Sequence, residues 1–154
     1  MKERGRDFGF ARAEDSTGFL LWQVTNLWQR EIKKALEPYG LTHAQFVLLA
    51  SIHWLNGQQG DVTQVVLAAH TRMDPMTTST VLRTLQTKDL IQRHEHATDT
   101  RAKMVALTSG GLRVTQQAIQ TVEKFDQTFF GSLGPQQEGF DHQLRALHYQ
   151  LPGL

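Results

Sequence analysis

The stretch LAAHTRMDPMTTSTVLRTLQTKDLIQR, residues 67–93, decides the fold of this chain. Asp74 followed by Pro75 is a typical helix start, because the aspartate caps free backbone N–H groups and proline fits the first helical position. Apolar residues then recur at three- and four-residue steps, which predicts a helix from Asp74 to about Lys88. A segment of strand length, residues 90–95, follows this helix after Asp89.

The predicted helix has two chemically different faces. At 100° per residue, Thr78, Val81, Leu82 and Leu85 share one side and are expected to pack inward. The opposite side carries short hydroxyl side chains beside one arginine, without the long Glu and Lys residues of an ordinary solvated face. Such a face fits closely into a major groove, where hydroxyls bond base edges or phosphates. The residues expected to contact DNA on this helix are Met76, Thr77, Ser79, Thr80, Arg83 and Thr84.

The same residues have a purely structural explanation. Serine and threonine hydroxyls in a first helical turn often bond nearby backbone groups, and residues 77–80 could do no more than that. Against this explanation, four such residues in a row are poor helix formers, which a merely solvated helix would not favour.

Two short strands are predicted after this helix, at residues 90–95 and 103–107, joined by a polar turn. A basic side chain at the tip of such a hairpin can enter a narrow minor groove, and Arg101 and Lys103 are placed to do so. The alternative is a solvated turn with a surface pair between Asp99 and Arg101. Helix, helix and hairpin together outline a winged helix.

Long helices are predicted on both sides of this segment. Nearly the whole circumference of the first, from Ser16 to the break at residues 38–40, is apolar. The second long helix begins after Thr108 and ends at residues 131–134, and Pro135 opens a last helix.

Two shorter helices precede the quoted stretch. A capping box of Thr42 and Gln45 begins one of them, which residues 56–60 are expected to end. The other is expected over residues 62–70. Its helical spacing rests on Val65, Val66 and Ala69.

Composition limits the class of protein. The chain has 154 residues, 40% of them apolar, enough for one compact domain with a core. Its net charge is only +1, so any affinity for DNA must come from a local arrangement of charge. The absence of cysteine excludes disulfide scaffolds, thiolate nucleophiles and the usual zinc sites. No signal-peptide segment and no apolar run of roughly 20 residues is found, so we expect a soluble, cytoplasmic protein.

The quoted stretch, together with TDTRAKMVALT at residues 98–108, resembles the signature region of MarR-type transcription regulators. In that family the first stretch holds a helix, a turn, the recognition helix and a strand, and the second is the wing with an Asp-x-Arg element ending in Leu-Thr. The corresponding residues are Asp99, Arg101, Leu107 and Thr108. The segment from Leu41 and the long outer helices fit the family as well, so the likeness covers nearly the whole chain.

The resemblance assigns roles to particular residues. It implies that Thr77, Ser79 and Thr80 lie in the major groove, and that Arg101 reaches the minor groove with Asp99 orienting it. One residue departs from the family pattern: aspartate stands at position 89, where glycine commonly follows the recognition helix. Aspartate tolerates the left-handed backbone conformation better than most residues, which makes this exit possible without glycine.

The predicted fold class is mainly α with a small β-hairpin wing, a winged helix-turn-helix plus long dimerisation helices. We divide the chain into a flexible N-terminal arm (1–15), a dimerisation helix (16–40), the winged DNA-binding domain (41–107) and further dimerisation helices (108–154). The outer helices carry more apolar surface than the small winged domain can cover, and twofold symmetry would hold two recognition helices one turn of DNA apart. These apolar residues are Phe19, Leu20, Trp22, Leu27, Phe125, Phe129, Phe130, Phe140, Leu144 and Leu147.

A ligand site is also considered, because MarR-type proteins often bind a small aromatic or phenolic acid between the dimer region and the winged domain. Trp22, Trp28, His53 and Trp54 are the candidate residues, since indole faces beside an imidazole can hold a flat anion. The stronger interpretation is that aromatic residues at helical spacing belong to the core.

The sequence therefore predicts a sequence-specific DNA-binding regulator, a repressor that binds a pseudo-palindromic operator as a homodimer and is released by a small aromatic ligand if one binds. The main alternative is a winged helix used only for protein assembly, which the weak net charge would suit. An enzyme is not expected, because the chain has no nucleophile–base pairing, phosphate loop or metal motif. The seven histidines form no convincing metal cluster, and no cofactor is implied.

Overall fold

The computed structural model describes residues 7–99 and 102–150. Six helices and three short strands follow one another in these ranges, with single 3-10 turns before α1, after α1 and before α6. The elements are α1 (Thr17–Leu36), α2 (His43–Gln59), β1 (Val62–Thr63), α3 (Gln64–Thr71), α4 (Pro75–Thr87), β2 (Ile91–Glu95), β3 (Lys103–Leu107), α5 (Ser109–Gly131) and α6 (Gln137–Gln150). No helix in the described ranges is long and apolar enough to span a bilayer.

The helix ends follow the capping signals of the sequence. Ser16 accepts a hydrogen bond from the backbone N–H of Phe19 at the start of α1, and Thr42 and Gln45 form the reciprocal capping box of α2. The end of α2 falls at the last residue of the predicted stop, residues 56–60. Helical bonding continues through residues 56–59, and the helix stops at Gly60, which has a φ of +84°.

The third helix differs from the prediction. Val62 belongs to β1, where it pairs with Val105, and α3 begins only at Gln64. The inward face was also assigned wrongly, because Leu67 and Ala68 are buried and all three expected core positions are exposed, Val65, Val66 and Ala69. An apolar run of five residues fits several helical faces equally well, so only packing against α2 and α4 selects one.

The strands form a small antiparallel sheet in the order β1-β3-β2. The predicted hairpin is confirmed, with Ile91 opposite Leu107 and Glu95 opposite Lys103. Strand β1 was not predicted, since a two-residue strand leaves no periodic pattern in the sequence. Sheet and helices together make the winged helix-turn-helix fold.

The exit from α4 uses the aspartate that departs from the family pattern. Asp89 adopts a left-handed conformation with a φ of +57°, and the N–H of Leu90 donates to the carbonyl oxygen of Leu85 at 3.0 Å. These features end the helix as a glycine would. The departure is thus accommodated by the tolerance of aspartate for this conformation.

The core lies between the second half of α1, helices α2, α3, α4 and α5, and the sheet. The first half of α1 and the whole of α6 contribute no buried residue to it. The buried cluster consists of Ile32, Leu36, Leu41, Phe46, Leu48, Leu49, Ile52, Leu55, Val62, Leu67, Leu82, Leu85, Ile91, Val105, Ala118 and Val122.

One polar group in the interior of α5 lacks a partner. The Oγ1 of Thr115 is fully buried and makes no hydrogen bond within the described part of the chain. We expect Thr115→Val to raise the free energy of unfolding by about 1 kcal/mol, because valine keeps the shape and removes the desolvated hydroxyl. Urea titration at fixed protein concentration measures the change.

Thr121→Val is the matched control on the same helix. The Oγ1 of Thr121 lies 2.5 Å from the hydroxyl of Tyr39, so this variant leaves a half-buried phenol unpaired. It should lower the free energy of unfolding by about 1 kcal/mol. Equal effects of the two variants would contradict the assignment of Thr115 as an unsatisfied group.

Candidate nucleic-acid interface

The outward face of α4 is a continuous polar stripe. Met76, Thr80, Arg83, Thr84 and Thr87 are exposed at successive helical turns, and Met76 is 80% exposed. The opposite face is buried as predicted, with Thr78, Leu82 and Leu85 in the core. The exposed stripe therefore stands on a helix that packing holds firmly from behind.

The N-terminal end of this stripe is fixed by its cap. The Oδ2 of Asp74 accepts from the backbone N–H of Thr77 at 3.0 Å and from the hydroxyl of Thr77 at 3.3 Å. Pro75 occupies the first helical position, as the sequence predicts. The cap places Thr77 at the edge of the stripe, where its hydroxyl donates to the Asp74 carboxylate.

The threonines along the stripe bond to their own helix. The hydroxyls of Thr80, Thr84 and Thr87 donate to the carbonyl oxygens four residues earlier, at 3.0, 3.4 and 3.1 Å. The local bonding that the structural explanation requires is thus present. Each hydroxyl oxygen keeps lone pairs that can accept from a base amino group, so local bonding and base contact are compatible.

Ser79 and Arg83 complete the picture of the stripe. Ser79 is half-buried, at its border rather than its centre. Arg83 is exposed, and its guanidinium makes no hydrogen bond or ion pair with any residue in 7–99 or 102–150. Its guanidinium is therefore available to a phosphate or to the edge of guanine.

The tip of the wing is organised by His96, for which the sequence predicted no role in the turn. The Nδ1 of His96 accepts from the backbone N–H groups of Thr98 and Asp99, each at 3.2 Å. The N–H of Ala102 donates to the carbonyl oxygen of Asp99 at 3.0 Å and closes the turn. Lys103 is exposed at the start of β3, beside this turn. Arg101 lies outside the described residues, so its minor-groove role and its orientation by Asp99 remain predictions.

Three basic residues near the stripe are bonded within the protein. Arg93 donates to the side-chain oxygens of Gln86 and Gln64, at 3.0 and 3.5 Å. Arg72 donates to the carbonyl oxygen of His148 at 3.1 Å, and Lys88 bonds the segment between α1 and α2. Among the described residues near the stripe, the cationic side chains that remain available to a nucleic acid are therefore Arg83 and Lys103.

The four residues of the predicted ligand site do not line a common cavity. Trp22 and Trp54 are 67% and 62% exposed. Trp28 is half-buried, and its Nε1 donates to the Oδ1 of Asp126 at 2.8 Å. His53 lines a separate cavity of about 290 Å³ between α2, β3 and the start of α5.

A larger cavity of about 780 Å³ opens at the junction of α1 and α2, near the turn before α4. His43 in its wall packs edge-on against Trp28, with ring centroids 5.0 Å apart. Burial lowers the pKa of His43 below its usual 6.5, while the nearby Asp126 carboxylate acts in the opposite direction. Sequence reasoning missed this site because its walls come from segments that meet only after folding. They are Gln29, Lys33, Glu37, Gly40, Leu41, Thr42, His43, Ala44, Val47 and Met73.

Known proteins share this sequence pattern and architecture. The MarR family model matches residues 41–103. The HTH-type transcriptional regulator YdcH of Bacillus subtilis is 44% identical over 124 residues, covering 80% of this chain and 84% of the relative. The HTH-type transcriptional repressor Rv2887 of Mycobacterium tuberculosis is 30% identical over 131 residues, covering 84% and 91%. A solved structure of Bordetella bronchiseptica BpsR, on regulation of its DNA binding by 6-hydroxynicotinic acid, superposes with a TM-score of 0.82 at 24% identity, covering 93% of this chain and all of that one.

Proposed function

Since this chain belongs to the MarR family of transcription regulators, we propose that it binds a pseudo-palindromic operator as a homodimer and represses transcription. The observation that carries the proposal is the exposed stripe of α4, where small hydroxyl side chains surround the available guanidinium of Arg83. Such a surface can approach base edges closely, as a recognition helix must. A cytoplasmic location is part of the same proposal.

The surface of the protomer supports a dimer. The first half of α1 buries no residue within the protomer, and no residue of α6 is buried. Large apolar side chains are left exposed on both helices: Phe19, Leu20, Leu21, Trp22, Val24 and Leu27 on α1, and Leu144 and Leu147 on α6. A second copy that covers α1, α5 and α6 would bury this surface and place two α4 helices on one side of the DNA.

Two similar proteins support a proposal about repression and its control by a ligand. Rv2887 is named a repressor, and the BpsR structure concerns DNA binding regulated by 6-hydroxynicotinic acid, a small aromatic acid. By analogy we propose repression, with release by a ligand of that chemical class. The 780 Å³ cavity is large enough for such a ligand and has Lys33 and His43 in its wall.

Salt-dependent binding to random duplex DNA separates this proposal from a winged helix used for protein assembly. We expect the logarithm of affinity to fall linearly with the logarithm of salt concentration, because phosphate contacts release counterions. Selection from random duplexes should then recover a sequence with twofold symmetry. No binding even at low salt would favour the assembly module.

Two variants of the stripe distinguish positioning from base recognition. Arg83→Ala should weaken binding, and Thr80→Ala should relax sequence preference, each by about 1–3 kcal/mol. Thr128→Ala is the matched control, because Thr128 on α5 makes the same bond to its own helix, at 3.2 Å from the carbonyl oxygen of Lys124. Since α5 is assigned to the dimer contact, sedimentation velocity checks that this variant keeps the assembly state of wild type. Fluorescence anisotropy with the selected duplex and with single-base variants measures both effects. Unchanged affinity and preference in both stripe variants would refute the site.

A further inference from the structure

Lys88, the residue directly after α4, reaches across the winged domain to the start of α2. Its Nζ donates to the carbonyl oxygen of Gly40 at 2.6 Å and to the Oε1 of Gln45 at 3.0 Å. These partners precede Lys88 by 48 and 43 residues in the sequence. One ammonium group therefore joins the C-terminal end of α4 to the segment that connects α1 with α2.

Both acceptors are held in place by other bonds. Gly40 has a φ of +64°, and its N–H donates to the carbonyl oxygen of Glu37 at 3.0 Å in the 3-10 turn after α1. Gln45 is only 6% exposed, and its Oε1 also accepts from the N–H of Thr42 at 3.1 Å. The positive charge sits at the carbonyl end of the α1 segment, where the helix dipole favours it. Lys88 is thus bound to a rigid connection and not to a loose loop.

Lys88 follows the last residue of α4, so its bonds act on the C-terminal end of that helix. Asp74 caps the N-terminal end of the helix, and its middle packs through Leu82 and Leu85. Thr108, at the start of α5, also restrains the C-terminal end of α4, because its hydroxyl donates to the carbonyl oxygen of Asp89 at 2.7 Å. Lys88 restrains the same end relative to α1, because its two bonds run from the end of α4 to the end of the α1 segment.

We propose that Lys88 is a positioning residue that fixes the angle between α4 and α1 and so selects the spacing between half-sites in the operator. The inference rests on the proposed function, in which α1 belongs to the dimer contact and α4 reads DNA. In such a dimer, the angle between the two helices sets the distance between the two copies of α4. Loss of the two Lys88 bonds broadens the range of half-site spacings that the dimer accepts, without removing a contact to DNA.

The test uses the full-length protein and the duplex recovered by selection, with its central spacer lengthened or shortened by one or two base pairs. Lys88→Met keeps the length of the side chain and removes its donors, and Lys88→Gln is the second variant. Lys88→Arg retains donors that can reach the same acceptors. Lys103→Met is the control for a lost phosphate contact, because Lys103 is exposed beside the wing turn. Circular dichroism confirms that each variant is folded.

Wild-type protein should prefer one spacer length. Lys88→Met and Lys88→Gln should lose about tenfold in affinity for that spacer and much less for the shifted ones. The slope of log affinity against log salt should stay that of wild type, and Lys88→Arg should restore the spacer preference. Lys103→Met should weaken all duplexes alike and reduce the slope by about 1.8, because the homodimer loses two phosphate contacts and each contributes about 0.9 to the slope.

Two results would overturn the inference and leave the proposed function intact. One is an unchanged spacer preference in both Lys88 variants. The other is a uniform loss across all spacers with the reduced salt slope expected of Lys103→Met, which would make Lys88 a phosphate contact. Wild-type protein that binds no duplex at low salt would overturn the proposed function, and the inference with it.

Discussion

Gly111→Ala should lower the free energy of unfolding by about 3 kcal/mol or more, because a methyl group at this position has no room. A Cβ on Gly111 would lie 1.9 Å from the carbonyl oxygen of Leu90 and 2.8 Å from its carbon. These are backbone atoms, which cannot rotate away as a flexible side chain can. Urea denaturation at fixed protein concentration measures the loss.

The surrounding bonds explain why the backbone cannot move aside. The hydroxyl of Thr108 donates to the carbonyl oxygen of Asp89 at 2.7 Å and accepts from the N–H of Gly111 at 2.9 Å. The N–H of Thr108 also donates to the carbonyl oxygen of Leu90 at 3.1 Å. The start of α5 is therefore pinned to the chain that leaves the recognition helix.

Gly110→Ala is the matched control for this prediction. The nearest atom to a Cβ at Gly110 is the Oγ1 of Thr108, at 3.9 Å, so alanine meets no obstacle there. Alanine should then stabilise the protein by about 0.5–1 kcal/mol, because glycine loses more backbone entropy on forming a helix. Equal effects of the two substitutions would show that the close approach at Gly111 is not required.

Leu27→Glu should separate the proposed dimer and lower DNA affinity more than 100-fold, since one recognition helix reads only a few base pairs. Leu27 is 43% exposed on α1 and lies on the same apolar face of that helix as Leu20 and Val24. A carboxylate there would have to enter an apolar contact, and twofold symmetry doubles its desolvation cost. Sedimentation velocity and anisotropy measure assembly and binding.

Val65→Glu controls for the effect of a new charge on assembly. Val65 is 76% exposed on α3, away from the helices assigned to the dimer contact, so this variant should keep the assembly state of wild type. Wild-type protein that remains monomeric at high concentration would contradict the proposed dimer. A Leu27→Glu variant that still forms a dimer and binds DNA would show that this face of α1 is not part of the dimer contact.

The recognition helix could be predicted from sequence because its signals are local. Asp74 and Thr77 are three residues apart, and the inward residues of α4 follow the helical repeat without interruption. The capping box of α2 and the cap at Thr108 are equally short-ranged. Wherever the deciding contact lies within one helical turn, the residue types alone identify it.

The third helix shows where this reasoning stops. Residues 65–69 are all apolar, so the periodicity is consistent with more than one inward face. The pairing of Val62 with Val105 in the sheet removes the first predicted residue from the helix, and packing buries Leu67 and Ala68 instead of the valines. The pairing partner Val105 lies 43 residues after Val62. A local pattern in the sequence therefore cannot predict where this helix begins.

The sequence by itself determined the order of the helices, the hairpin, the chemical character of the outward face of α4 and the family to which the chain is similar. Tertiary structure decided which basic side chains remain available to DNA, where the large cavity opens, and why a glycine is required at position 111 of α5. Lys88 and Trp28 find partners 48 and 98 residues away, and Gly111 is needed because of the carbonyl of Leu90. Caps and periodicity act over a few residues, whereas these contacts exist only once distant segments have packed together.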